Sequence, residues 1–437
     1  MVISNRAIST TFFVLAVGTL VASCVYHDSF SDCRVSCDTV SGCPSGLTCG
    51  DEGLCRTGET TAACTAVLTD AGSDSKGSNV DAQKCFGSGN FTICLQTPPT
   101  SSLDIETDTT IATDSTVATG SAAACDLLIP QTGGPTLCVM ARTSIIVAAT
   151  ATLSAIVAEG SGGGPLVLLA TGDLTVSGTV DVASHLVAGT IGAGADSSLC
   201  SLPTGAGEPN GSGSGGGGAG GSFGTTGGAG GGENGVANGG KPGAAIASPP
   251  ELLHGGCRGG WGGSHSVGPY DYGDGGGAVY LLAGGTISIS GIVNASGDAG
   301  FADTSNGGGG GAGGMIALFA PTLNASASAK ILANGGGGAG GGASTTGGGL
   351  GNDPNPMTPL TPAPGGFGAS TPEADGGAGG SGAAGTMTAT AGGSTPTYSG
   401  GYVGGGGGGG GGLGVIRVLS GQLITSTGAM VSPMPTD

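Results

Sequence analysis

The stretch "HGGCRGGWGGSH" sets His254, Cys257 and His265 close together in a chain whose only other histidines are His27 and His185. Imidazole and thiolate are zinc ligands, so the spacing invites a metal reading. The plainer reading is a polar loop with Cys257 held in a disulfide, and no metal is expected there. Next in the chain, "YDYGDGGG" groups Tyr270, Asp271, Tyr272 and Asp274. Aromatic rings beside carboxylates on an exposed loop are the ingredients of a sugar-binding patch, and these four residues form the candidate ligand patch.

Earlier, "SSLDIETDTTIATD" carries Asp104, Glu106, Asp108 and Asp114. Alternate acids on a strand project to one face, which would suit calcium. The segment lacks the glycine and the terminal bidentate Glu of an EF-hand loop, so it reads as a solvated strand face. Polysaccharide cleavage needs two carboxylates converging on one sugar ring. Asp173 and Asp181 are candidates, but the matching positions of the next similar segment are Gly285 and Asn294, and Lys330 and Arg417 are lone bases. Strings of the GxGxxG type recur because glycine is everywhere, with no strand–turn–helix context to give them meaning. No catalytic residue and no cofactor is expected, and the chain reads as a non-enzyme.

What would position these residues is a repeat. Five segments, 138–160, 164–184, 277–297, 314–335 and 414–433, lie over one another as an apolar strand, a turn, an alternating strand, a small residue and a third short strand. That pattern predicts an all-β fold: right-handed parallel β-solenoid-like coils, preceded by a small disulfide-rich stalk. Competing readings are an antiparallel sandwich and a disordered chain with local hairpins. Strand alternation places Val167, Leu169, Leu174, Val176, Val180 and Val182 inside, with the outer strand faces meeting solvent. Stacked repeats bury a continuous core that one repeat cannot. Long Gly-rich insertions, at about 185–276, 298–313 and 336–413, separate the later repeats. They are either flexible or packed as extended glycine helices, and the sequence does not separate the two.

Composition agrees. Of 437 residues 101 are Gly and 22 Pro, about 28%, which is the low-complexity range. With nine Phe, six Tyr and one Trp, a core must be built from aliphatic side chains. Net charge is −19, yet charged residues are only 9% and no basic cluster exists. A nucleic-acid partner is therefore not expected, because neutralising phosphates needs a basic stripe.

The cysteines and the N-terminus speak to compartment. Residues 1–23 read as a lipoprotein signal peptide: Arg6, then an apolar run over 12–21 too short to cross a bilayer. It ends in "VASC", which resembles a bacterial lipobox with Cys24 as the lipidated residue. Several acyl chains on one residue give stable anchoring, and Val25 in place of Asp implies outer-membrane sorting by the family rule. The other 12 cysteines fit an oxidising compartment. Cys33, Cys37, Cys43, Cys49, Cys55 and Cys64 crowd a stalk (residues 24–64) with almost nothing apolar between them, so disulfides must hold it. Residues 65–84 read as a flexible linker, and the β domain runs over 85–437. Cys85 and Cys94 bracket a short hairpin, Cys125 and Cys138 are further disulfide candidates, and Cys200 with Cys257 would close a loop of about 58 residues.

On "VASC", "CFGSGNFTICL", "LTVSGTVDVASH" and "GGGGAGGSFG" the chain resembles the glycine-rich, lipobox-bearing surface proteins encoded in many copies by myxobacteria and their relatives. The glycine tracts are also similar in composition to those of mycobacterial glycine-rich repeat proteins. The resemblance implies a place and a shape, and no activity; the expected function is that of an outer-surface lipoprotein with a structural or adhesive role and no catalysis. Its expected partners are the membrane, through the anchor, and cell-surface or matrix polysaccharide. The alternative is a polysaccharide-binding or polysaccharide-degrading β-helix protein.

Overall fold

The structure is a computed structural model. It describes residues 48–49, 55–56, 84–118, 122–157, 163–201, 215–233, 237–263, 272–302, 304–343, 345–372, 374–395 and 404–436. The chain divides into two compact units, Met1–Asn79 and Val80–Asp437. In the first, strands Thr48–Cys49 and Cys55–Arg56 pair antiparallel, with Cys49 opposite Cys55. Cys24, Cys33, Cys37, Cys43 and Cys64 lie outside the described residues.

The second unit is built from three open sheets. The first runs, in order, Leu127–Ile129, Leu137–Arg142, Leu166–Ala170, Ala278–Ala283, Met315–Phe319 and Val415–Val418. The second runs Leu103–Ile105, Ile145–Val147, Leu174–Val176, Thr286–Ile289, Thr322–Ala325 and Leu423–Thr425. The third runs Ala123–Ala124, Thr109–Ala112, Thr152–Val157, Thr179–Asp181, Ile292–Asn294, Lys330–Leu332 and Met430–Ser432, with Ile191–Gly192 pairing beside Thr152–Val157. Neighbours are parallel except Leu127–Ile129 on Leu137–Arg142 and Ile191–Gly192 on Thr152–Val157. Among the described residues the one helix is a 3-10 turn, Gly89–Phe91.

The aliphatic core between the sheets collects the alternate residues of each strand. Leu166 and Leu168 meet Leu174, Val176, Val180 and Val182 there, fully buried. Val167 and Leu169 point the other way, into a second core with Phe86, Phe91, Phe223 and Tyr280. This corrects their expected inward placement, and its cause is local. Leu166–Ala170 is buried at every position, as a parallel strand covered on both faces should be, so alternation inside "LVLLA" carries no information on which side is core.

The outer face is covered by the hairpin that carries Phe86 and Phe91 and by the glycine tracts. The tracts form a hydrogen-bonded body of extended segments with a three-residue period. Gly307, Gly310 and Gly313 donate to Gly406, Gly409 and Gly412, while Gly309 and Ala312 donate to Gly260 and Cys257. Gly308, Gly311 and Gly314 donate to Phe301, Asp298 and Ala295. An extended helix of three residues per turn makes no internal hydrogen bonds and offers every amide to a neighbour. The segment 404–412 lies at the centre, with six neighbouring segments. It donates, at 2.8–3.0 Å, into 215–221, 336–342 and 390–393, and accepts from 228–231, 307–313 and 377–383. Six neighbours leave no direction free for a side chain, which is why the sequence there is unbroken glycine.

The expected right-handed solenoid is therefore corrected, and solvent-facing outer strand faces are kept in the second sheet, at Ile146 and Ile424, but not in the first. The unit consists of separate open sheets, mostly parallel, and the glycine tracts are a second packed body laid against the first sheet and meeting the edge of the third. Two disulfides pin the margins: Cys85–Cys94 closes the hairpin Lys84–Phe86/Ile93–Leu95, and Cys125–Cys138 ties the entry to Leu137–Arg142. Cys200–Cys257, with a Cα–Cα distance of 5.4 Å, clips the glycine body beside the second core.

Candidate functional site

A cavity of ~510 Å³ opens where the third sheet meets the glycine body. It is lined by Val157 and Ile191, by Leu186 and Val187 of the loop between them, and by Tyr272, Phe301, Leu350, Asp274 and Asp298. Ligand sites in proteins fall in this size range and combine apolar walls with a few placed polar groups.

The acids arrive from distant points of the chain because the extended segments bring them there. Asp298 follows strand Ile292–Asn294; its amide donates to the Asp274 carbonyl at 3.1 Å, and its own carbonyl accepts from Gly311 at 2.9 Å. Its side chain is 4% exposed, and its Oδ1 has no hydrogen-bond partner in the protein. Burial holds this carboxyl well above its ordinary pKa, and the neighbouring Asp274 charge adds to the effect. Asp196 has a left-handed backbone, φ 52°, and accepts the Gly275 amide on Oδ1 at 3.1 Å. Burial, the Asp274 charge and a side-chain hydrogen bond with Asp274 raise its pKa well above normal. Two such carboxyls can share a proton because like charges at close range cannot both ionise.

On one flank, Arg258 donates from Nη1 to the Tyr272 hydroxyl at 2.8 Å, and its guanidinium sits 4.8 Å from that ring and 5.6 Å from Trp261. On the other, Asp353 accepts the Ala299 amide at 2.9 Å and the Leu186 amide at 3.2 Å, and burial raises its pKa. His185 lies 3.9 Å from Asp353 through Nδ1 and 3.0 Å from Asp181 through Nε2. The hydrogen bond to Asp181 raises the imidazole pKa against the opposing effect of burial.

Of the candidate ligand patch, Tyr272 and Asp274 line this cavity, whereas Tyr270 and Asp271 lie outside the described residues. Sequence reasoning missed Asp196, Asp298, Asp353 and Arg258 as members of one site. No spacing links them; the available signal was an acid set in glycine at the end of a strand, as in "NASGDAG".

The remaining candidates are dispersed. His254 is buried, with Nδ1 3.0 Å from the Gly255 carbonyl, and burial lowers its pKa. Cys257 is a disulfide partner, and His265 lies outside the described residues. Among the described residues no group of three or more His, Cys, Asp or Glu side chains could hold a metal ion. Asp104, Glu106, Asp108 and Asp114 are all exposed, and Asp108 accepts the Thr152 amide at 2.9 Å. Asp173 accepts the Thr286 amide at 2.7 Å. Asp181 stands opposite Asn294 in the ladder and accepts its side-chain N–H at 3.2 Å. Arg417 covers the Phe91 ring at 5.0 Å, and Lys330 reaches Met357.

The chain matches no protein-family model, no curated protein and no solved structure.

Proposed function

We propose that the protein is a non-enzymatic lipoprotein of the outer surface, anchored through Cys24, with a structural or adhesive role. The observation that carries this reading is the glycine body. A hydrogen-bonded block with almost no side chains is poorly suited to chemistry and well suited to holding its connecting loops in fixed positions. One such loop, 350–367, carries Leu350, Met357, Leu360 and Phe367 exposed, Phe367 at 73%. Exposed large apolar side chains gathered on one segment are a recurrent feature of contact surfaces. The lipobox sequence and the disulfides suit an oxidising, extracytoplasmic address.

The alternative, a polysaccharide-binding or polysaccharide-degrading protein, draws support from one arrangement. Trp261 and Tyr272 stand 5.7 Å apart at 52°, with the Arg258 guanidinium beside both rings and Trp261 partly exposed. Such rings can stack on sugar faces.

Three measurements test the reading. Detergent partition of protein expressed in a diderm host should place the wild type in the detergent phase and Cys24→Ala in the aqueous phase. A glycan array run beside reducing-sugar and unsaturated-product assays should give no turnover. In surface-adhesion assays, Phe367→Asp with Leu360→Asp should weaken attachment if the role is adhesive. Turnover abolished by one carboxylate substitution would overturn the non-enzymatic role.

A further inference from the structure

We propose that His185, set between Asp181 and Asp353, is a pH-sensitive latch that holds the loop 185–190 onto the segment carrying Asp353. This inference is independent of the surface role.

Three observations carry it. The first is the shape of the loop. The His185 amide donates to the Thr190 carbonyl at 2.9 Å, the Thr190 amide donates back at 3.2 Å, and Gly189 turns the chain with φ 61°. A short turn with its ends tied together is a natural unit of local opening. Val187 within it is almost fully exposed, so little packing opposes a shift. The second is what ties the loop down. Leu186 donates its amide to Asp353 Oδ2 at 3.2 Å, and His185 reaches Asp181 Oδ2 through Nε2 at 3.0 Å and Asp353 Oδ2 through Nδ1 at 3.9 Å. Asp353 also accepts the Ala299 amide on Oδ1 at 2.9 Å, so one carboxylate joins three segments far apart in the chain. The third is the charge balance. Asp181, on the strand Thr179–Asp181, and Asp353 are the carboxyls that face the imidazole, while Thr110, Ser154 and Thr190 beside it are uncharged. Asp298 acts on Asp353 from farther off. Among the described residues His185 is the basic side chain paired with Asp353.

Protonated, the imidazole offers an N–H to each carboxyl and offsets their charge. Neutral, it keeps one N–H, and spending that on Asp181 leaves a lone pair toward the Asp353 carboxylate. A part-buried carboxylate with no cation beside it favours water, and the loop should loosen. The Asp181 hydrogen bond raises the imidazole pKa in the latched form against the effect of burial. The latch is therefore complete below pH ~6.5 and is released as pH rises through the folded value. Release frees Leu186, Val187 and Gly189 from their places in the cavity lining.

The test follows amide hydrogen exchange of the full chain from pH ~6 to pH ~8.5, each rate divided by the intrinsic chemical rate at that pH. Protection of residues 185–191 should fall about tenfold, the scale of one charge-assisted contact, while that of the core strand Ala278–Ala283 holds. His185→Gln keeps a donor for Asp181 and removes the charge, so residues 185–191 should show the same low protection throughout. Protection independent of pH in the wild type would overturn the proposal, as would an equal loss in Ala278–Ala283 or an undiminished response in His185→Gln. Should His185→Gln fail to fold, Asp353→Asn supplies the second reading. Without that carboxylate the response of 185–191 should disappear, and an unchanged response overturns the latch.

Discussion

Gly308 presents its carbonyl oxygen to the α-carbon of Gly408 so closely that a β-carbon on Gly408 would overlap it. Gly408 meanwhile donates to Ala339 at 2.8 Å and accepts from Gly380 at 2.8 Å. Three neighbouring segments thus meet at one residue, and none is a flexible side chain that could move aside.

Gly408→Ala is therefore expected to destabilise strongly. Overpacking in a well-filled interior costs about 1–3 kcal/mol, and here the obstacle is backbone, so the loss should reach about 3 kcal/mol or more. The comparison is Gly133→Ala, where a β-carbon meets nothing within 4 Å and only the positive φ of 78° is strained. That change should cost about 1 kcal/mol. Denaturant unfolding of both variants decides the matter. Equal small losses would mean that the glycine body does not pack as a close hydrogen-bonded block.

Phe223 fixes the glycine body to the first sheet. It is fully buried in the second core with Val167 and Leu169, and it meets His254 edge to face at 4.9 Å. Phe223→Ala should lower the unfolding free energy by about 3–5 kcal/mol. Phe223→Leu should cost much less. If the sheets and the glycine body unfold independently, Phe223→Ala will instead split the transition in two, and calorimetry would see it.

Much of the strand framework is legible in the sequence, since each of the five similar segments sends one strand to each sheet. Cysteine spacing also reveals the Cys85–Cys94 hairpin and the Cys200–Cys257 clip. The side of burial is legible in the alternating strands, where Leu174, Val176, Val180 and Val182 point into the core as expected, and is lost in Leu166–Ala170. "LVLLA" is apolar throughout because both faces are covered, and much of the outer cover comes from tracts that composition alone reads as low complexity. Their order rests on inter-segment backbone hydrogen bonds, which leave no mark beyond glycine itself. The site suffers the same way: Tyr272 and Asp274 stand out locally, but Asp196, Asp298 and Asp353 meet only after the segments have packed.

Those same acids give the protein an unusual dependence on pH. Unfolded aspartates lose their protons near pH ~4, whereas burial raises the pKa of Asp298, Asp196 and Asp353 in the folded chain. Above that pH the folded state holds more protons than the unfolded state, so stability falls as pH rises until the folded values are passed. His185 acts in the same direction. Its pKa is raised by Asp181, so its contribution is complete below pH ~6.5 and is lost as pH rises through the folded value. His254, lowered by burial, opposes this only between its folded value and pH ~6.5. Three carboxyls and one imidazole outweigh the single opposing group, and the thermal midpoint should rise as pH is lowered from 8 toward 5. Asp298→Asn removes one buried ionisation without changing shape, so it should raise the midpoint at pH 8 and flatten the profile. A midpoint that climbs steadily with pH, and is indifferent to Asp298→Asn, would mean these carboxyls are not held protonated by the fold.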